Sequence, residues 1–294
     1  MSRFKLTIEY AGTRYSGWQI QQNARTVQGE IDRAVRTAIP RKEFELYGSG
    51  RTDAGVHALG QVAHLDIATT LPPDALRDRL NAELPADINI LSATIVPRRF
   101  HARHHAVARR YLYQIATRRT AFAKPYVWWV REPLDVERMS AGAAAFTGMR
   151  DFTSFSNNPA PPGPARRGST RATERTRTAE DRSESDDDLS PQLVLIEHVA
   201  VAAADGLVLV AIEGSHFLWK MVRRMVGVLV EVGRGTLEPA AVAALLAERS
   251  TLPAQVTAPP SGLFLERVFY QGDRRMTGPP TPAVALPRSR DAAS

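Results

Sequence analysis

Along the first half of the chain the apolar positions change period in a readable order. Phe4, Leu6, Ile8 and Tyr10 alternate with polar neighbours, the two-residue period of a half-buried strand. Val27, Ile31, Val35 and Ile39 then recur every fourth residue behind Thr26, the spacing of a helix with a hydroxyl at its N-cap. A short strand at 44–48, a strand from Val62 to Ile67, a helix marked by Leu76, Leu80 and Leu84 after "PPD", and the strand "INILSATIV" complete a β-α-β-β-α-β order. The second half is expected to contain a strand at 107–117, a helix at 135–147, strands at 193–202 and 206–213, an apolar helix at 217–233, a short helix at 239–248 and a strand at 264–270. That repeats the order with one helix added. The pattern predicts an α+β protein of two ferredoxin-like halves with mostly antiparallel sheets, residues 1–105 and 106–272, facing one another across a cleft.

Two segments break the periodicity. Residues 157–191 are rich in Pro, Gly, Ser and charge, with five Arg against one Glu through Thr178 and six acids against one Arg from there to Ser190. Such a stretch buries too little apolar surface to fold, and it is expected to be a disordered, charge-segregated insertion. The tail 273–294, rich in proline, is expected to be disordered as well.

Composition narrows the chemistry. There is no Cys among the 294 residues, which excludes disulfides, thiolate metal sites and cysteine nucleophiles. The N-terminus goes directly into a strand, and no run approaches the ~18 apolar residues of a membrane span, so a cytoplasmic protein is expected. Lys and Arg exceed Asp and Glu, giving a net charge of +7, and residues 98–119, "RRFHARHHAVARRYLYQIATRR", hold seven Arg and three His with no acid. A polyanion, in particular a nucleic acid, is the partner this favours over an ordinary solvated surface.

The candidate chemistry centres on "YGSGRTDAGVHALGQVAHLD", residues 47–66. A carboxylate at Asp53 on a Gly-framed loop, beside Arg51, suits a nucleophile or base; a general acid would want an apolar pocket. The bland alternative is a turn in which Asp53 and Gly55 provide only turn geometry. A metal on Asp53 and His57 would need further ligands, and the neighbouring Arg opposes a cation. Tyr111 and Tyr113 share one face of a strand beside Arg109 and Arg110, where core packing competes with an aromatic platform for an unstacked base. In "FLWKMVRRMVGVLVEV" the helix is apolar nearly all round, so Arg223 needs an anionic partner, for which Asp53 is a candidate, unless Arg223 and Arg224 lie on an exposed stripe.

Together "GRTDAGVHALGQVAH", "FHAR" at 100–103, "ARRYLY" at 108–113, "DFTSF" at 151–155, "MVRRMVG" at 221–227 and "GLFLERVFY" at 262–270 resemble the tRNA pseudouridine synthase A family, in order and over nearly the whole chain. The resemblance implies an isomerase that converts uridine to pseudouridine at positions 38–40 of the tRNA anticodon stem-loop, without metal or cofactor, as a homodimer with its site in a central basic cleft. It places the catalytic carboxylate at Asp53, the base-stacking ring at Tyr111 and the Arg that pairs with the carboxylate at Arg223. Arg51 is expected to assist Asp53, with Arg103, Arg109, Arg110 and His57 among the substrate contacts. Departures are Ala58 where Gly is more usual, Arg224 where an uncharged residue is more usual, and the length of the insertion. A non-catalytic RNA-binding module and a glycosidic hydrolase remain as rivals; the first lacks an RNP1-like run, the second would want two carboxylates.

Overall fold

A computed structural model describes residues 1–156 and 192–286. The expected insertion at 157–191 lies outside the described residues. In chain order the elements are β1 (Ser2–Tyr10), α1 (Val27–Ala38), β2 (Phe44–Gly48), β3 (His57–Ile67), α2 (Pro73–Glu83), β4 (Ile88–Val96), β5 (Ala106–Ala116), β6 (Trp128–Trp129), α3 (Val136–Ala143), β7 (Gly148–Asp151), β8 (Leu193–Ala204), β9 (Leu207–Gly214), α4 (Met221–Arg234), α5 (Ala241–Ala247), α6 (Leu252–Gln255) and β10 (Leu263–Tyr270).

The strands form one sheet in the order β4-β1-β3-β10-β5-β9-β8-β7, with β2 on the outer part of β3 and β6 on β5. Pairing is antiparallel except for β10 with β3 and β6 with β5. The pairings β4-β1-β3-β2 recur as β10-β5-β9-β8, so each half of the chain weaves its strands in the same way. The halves join where Phe264 and Leu265 lie beside His57 and Ala58.

Helix α1 forms where the four-residue period predicts it, and the Thr26 hydroxyl caps it by accepting from the Gly29 N–H at 3.2 Å. Its buried face, Val27, Ile31 and Val35, packs with Leu76 and Leu80 of α2 on β1, β3 and β4. A second cluster sets Met139 of α3 and the apolar faces of α4 against β5, β8 and β9. Leu263 and Leu265, two apart on β10, belong one to each cluster, so both helical layers cover the same side of the sheet. Tyr111 packs against both clusters.

The opposite side is covered from the C-terminus, and here the expectation of a disordered tail is corrected up to Leu286. Leu286 is buried with Leu112, Leu209 and Phe264. The N–H groups of Ala283 and Val284 both donate to the Gln114 Oε1, at 2.7 and 3.2 Å, and Arg275 pairs with Glu197 and Glu213. A few apolar side chains and one buried amide suffice to fix a Pro-rich segment that has no periodicity of its own. The helix expected at 217–233 is also corrected. It starts at Met221, because Lys220 takes a left-handed conformation (φ 59°) and Leu218 to Met221 form a turn. Among the described residues no helix is long and apolar enough to cross a membrane.

Candidate active site

Residues 49–56 connect β2 to β3 and are pinned at both ends. The Ser49 N–H donates to the Val62 carbonyl at 2.7 Å, the Trp18 N–H to the Thr52 carbonyl at 3.1 Å, and the Gly55 N–H to the Tyr15 carbonyl at 3.2 Å. Buried side chains add to this: the Tyr10 and Thr52 hydroxyls meet at 2.8 Å, the Ser49 hydroxyl donates to Gln61 Oε1 at 2.7 Å, and Gln61 Nε2 donates to the Gly50 carbonyl at 3.0 Å. Residues 12–18 press on the loop from behind. A Cβ at Gly12 would lie 1.8 Å from the Val56 oxygen, and one at Gly17, where φ is +92°, 2.5 Å from the Thr52 oxygen. The Asp53 carbonyl is tied as well, accepting from the Val56 N–H at 3.2 Å, while its carboxylate is left half-buried at the surface of a rigid turn.

Arg223 meets that carboxylate from α4. Its Nη1 lies 3.3 Å from Asp53 Oδ2, with the side chains 14% and 23% exposed. The guanidinium is aimed by its own helix's neighbour: Nε donates to the Ala258 carbonyl at 2.7 Å, and the Ala258 N–H returns to the Arg223 carbonyl at 3.0 Å. Such a two-point hold fixes the charge before any ligand arrives.

Tyr111, on β5, is half-buried, with Phe217 packed edge-on at 5.0 Å between centroids and 82° between planes. Burial pushes its hydroxyl up to about 12, Arg109 opposing and the Asp53 charge adding, so the phenol is protonated at neutral pH. Tyr113, one pleat on, is fully buried and donates to the Pro259 carbonyl at 2.7 Å. Of the two tyrosines, Tyr111 is the one on which the Asp53 charge acts, whereas the Arg223 charge acts on Tyr113.

The remaining expected residues separate. Arg51 is exposed and forms no ion pair with Asp53; the cation that reaches this carboxylate is Arg223. His57 lies inside: its Nδ1 accepts from the Gly12 N–H at 3.1 Å, which leaves Nε2 to donate to the Pro125 carbonyl at 3.0 Å, and burial pushes its pKa down. It fixes the loop's exit into β3. Arg110 projects to the other face of β5, where it is 2% exposed between Glu266 at 2.7 Å and Glu213 at 3.8 Å. Arg103 is exposed. Arg109 is half-buried and donates to four carbonyls: Ser49, Arg103 and Ala106 at 3.1, 3.1 and 3.3 Å, and Ser215 at 2.8 Å. Both His57 and Arg110 are thus corrected from RNA contacts to internal ties, and Arg109 is spent on the backbone.

A family description, tRNA pseudouridine synthase, matches residues 6–105 and 143–271. The chain belongs to that family. It is 42% identical over 275 residues to the tRNA pseudouridine synthase A of Nitrobacter winogradskyi, covering 92% of this chain and 97% of the relative. It is 40% identical to that of Geotalea uraniireducens (92% and 100%) and 38% identical to that of Halalkalibacterium halodurans (91% and 92%). The matched stretches of this pseudouridine synthase sequence enclose Asp53, Arg223 and β10, and stop before the C-terminal segment that closes the other side of the sheet. Sequence reasoning missed Phe217 and the Ala258 carbonyl. The first was hidden by being read as part of α4, and a backbone carbonyl has no sequence signal.

Proposed function

We propose that the protein isomerises uridine to pseudouridine in the anticodon stem-loop of tRNA, with Asp53 as the catalytic carboxylate, and that its halves are ferredoxin-like units forming a basic cleft at the β10–β3 junction. The homodimer and the cytoplasmic setting implied by the family resemblance belong to the same reading. The observation that carries it is the ion pair between Asp53, on its pinned loop, and Arg223, with Tyr111 within reach of the Asp53 charge.

The isomerisation breaks the bond from C1′ to N1, turns the uracil, forms a bond from C1′ to C5, and exchanges the C5 proton for one on N1. It needs a carboxylate to attack the nucleoside or take a proton, and a surface that keeps the detached base from leaving. Arg223 keeps the Asp53 oxygens oriented, and the neutral Tyr111 ring stacks on the uracil while its hydroxyl, which donates to no group among the described residues, is available for proton transfer. A paired target must leave its stack to reach Asp53, and the cationic surface compensates by binding phosphates.

The test uses a tRNA transcript tritiated at uridine C5. Wild type is expected to release the label to water and leave pseudouridine in the RNA, whereas Asp53→Asn, which keeps the shape and removes the charge, is expected to bind tRNA and release nothing above background. Label release by Asp53→Asn at a rate near wild type, or free uracil as the product, would overturn the assignment.

A further inference from the structure

The stretch from Ser215 to Arg223 leaves β9 and enters α4 with three anchors on the site. The Ser215 carbonyl accepts from Arg109 at 2.8 Å, Phe217 lies against Tyr111 at 5.0 Å, and Arg223 reaches Asp53 at 3.3 Å. Between the last two anchors stands Trp219, whose indole is 56% exposed. An aromatic ring of that size is ordinarily buried, and here the backbone turns it outward. Lys220 holds a left-handed conformation (φ 59°) that costs an L residue free energy, and the turn is closed by Met221 N–H to the Leu218 carbonyl at 3.1 Å and Arg224 N–H to the Lys220 carbonyl at 3.0 Å. The Lys220 ammonium then lies 4.4 Å from the centroid of the indole. Strained backbone, an exposed large ring and a cation above it thus occur together on a segment anchored to the site on either side of Trp219.

We infer that Trp219 and Lys220 form a second nucleobase subsite, in which the indole stacks on an unpaired base flanking the uridine that enters at Asp53, and Lys220 meets that nucleotide's phosphate. The inference rests on the proposed action on RNA and extends it outward from the reacting base. A flat heteroaromatic ring carried on a phosphate backbone matches both features at once, since stacking uses the π surface and the ammonium takes the charge. Two aromatic platforms then grip adjacent nucleotides: Tyr111 the one undergoing chemistry, Trp219 its neighbour. Holding the neighbour open lowers the cost of extruding the target from a paired stem.

The test measures dissociation constants of an unmodified tRNA transcript, together with KM and kcat for tritium release, for wild type, Trp219→Ala, Trp219→Leu and Trp219→Phe. Trp219→Ala and Trp219→Leu are expected to weaken binding about tenfold, with the loss falling on KM more than on kcat, and Trp219→Phe to stay within about threefold of wild type. Leucine keeps the apolar surface without a stacking plane, so its failure to rescue separates stacking from general hydrophobic contact. Because the side chain is exposed, all three are expected to melt within a few degrees of wild type. Trp219→Ala binding tRNA within twofold of wild type would overturn the inference. So would a change in sedimentation state on Trp219→Ala with tRNA affinity intact, which would make the indole a contact with another protein chain. Absence of tritium release by wild type would instead sink the proposed reaction, while the binding comparison would still report on the stacking.

Discussion

Arg109 shows how one cation can tie several stretches of backbone together beside the site. Its guanidinium binds carbonyls from the 49–56 loop, the 98–105 turn, its own strand and the exit of β9, and no carboxylate among the described residues. Desolvation pushes its pKa down, yet an Arg stays charged at any working pH, so those four oxygens are its counterion. Replacing it with Ala leaves three part-buried carbonyls without this donor and is expected to cost about 3 kcal/mol in denaturant unfolding and to slow tritium release. The slope of log tRNA affinity against log salt is expected to match wild type; a slope shallower by about one would mean that Arg109 does hold a phosphate. The sequence could not distinguish Arg109 from Arg110 from Arg103, because a run of arginines reads as a basic patch whichever way each side chain projects. Strand alternation separates the first two only once the neighbours are known: Glu213 stands opposite Arg110 on β9, and Glu266 lies at the bulge of β10. Asp53 and Arg223 were nevertheless legible as candidate partners, since an arginine in an apolar helix needs an anion; a plain turn at Asp53 and an exposed stripe at Arg223 stood as alternatives until the structure paired them.

At the scale of elements, β3 carries the titration behaviour. His64 is 1% exposed on it, accepts the Ala102 N–H at Nδ1, and stacks on Tyr47 with His101 edge-on. Burial, reinforced by the Arg3 and His101 charges and opposed by Asp66, pushes its pKa down to about 4 from an ordinary 6.5. With the folded value the lower one, the unfolded chain takes the proton first. The stabilisation from a neutral His64 is therefore whole above about pH 6.5, is lost between there and about pH 4, and amounts to as much as about 3 kcal/mol. His64→Asn keeps an acceptor for Ala102 but cannot titrate; its unfolding free energy is expected to fall less than wild type's between pH 7 and pH 4.5, and equal losses would refute the assignment. This strand was also partly hidden in the sequence. Its apolar run starts at Val62, yet pairing starts at His57, because His57 and Gln61 are buried polar groups whose partners are backbone atoms and side chains elsewhere. Helix α1, with four apolar residues in register and a capping Thr, was legible in full, whereas α4 lost its first turn to the strained Lys220, which no periodicity reports.

For the whole molecule, the sheet has helices on one side and, over its centre, residues 273–286 on the other. Ending the chain after Gly272 would uncover Leu112, Leu209 and Phe264, strip the Gln114 Oε1 of both its donors and leave Glu213 with one cation in place of two. Such a protein is expected to melt about 10 °C below wild type; a midpoint within about 2 °C would show that the segment contributes little. The order of elements was readable because each half repeats one pattern of periods. The joining of the halves was not, since a two-residue parallel pairing of Phe264 and Leu265 with His57 and Ala58 has no signature in either strand.

The central position of β10 has a consequence for how the protein is made. The strand that lies between β3 and β5 leaves the ribosome after the nine other described strands, and just ahead of it come Ala258, which aims Arg223, and Pro259, which anchors Tyr113. Until then a nascent chain exposes two unpaired strand edges in mid-sheet, and its Asp53 faces an arginine with nothing to hold it. Products terminated before β10 would therefore lack the fixed ion pair and be conspicuous to chaperones and proteases. The Asp53–Arg223 pair is fixed only once residues 258–270 have emerged.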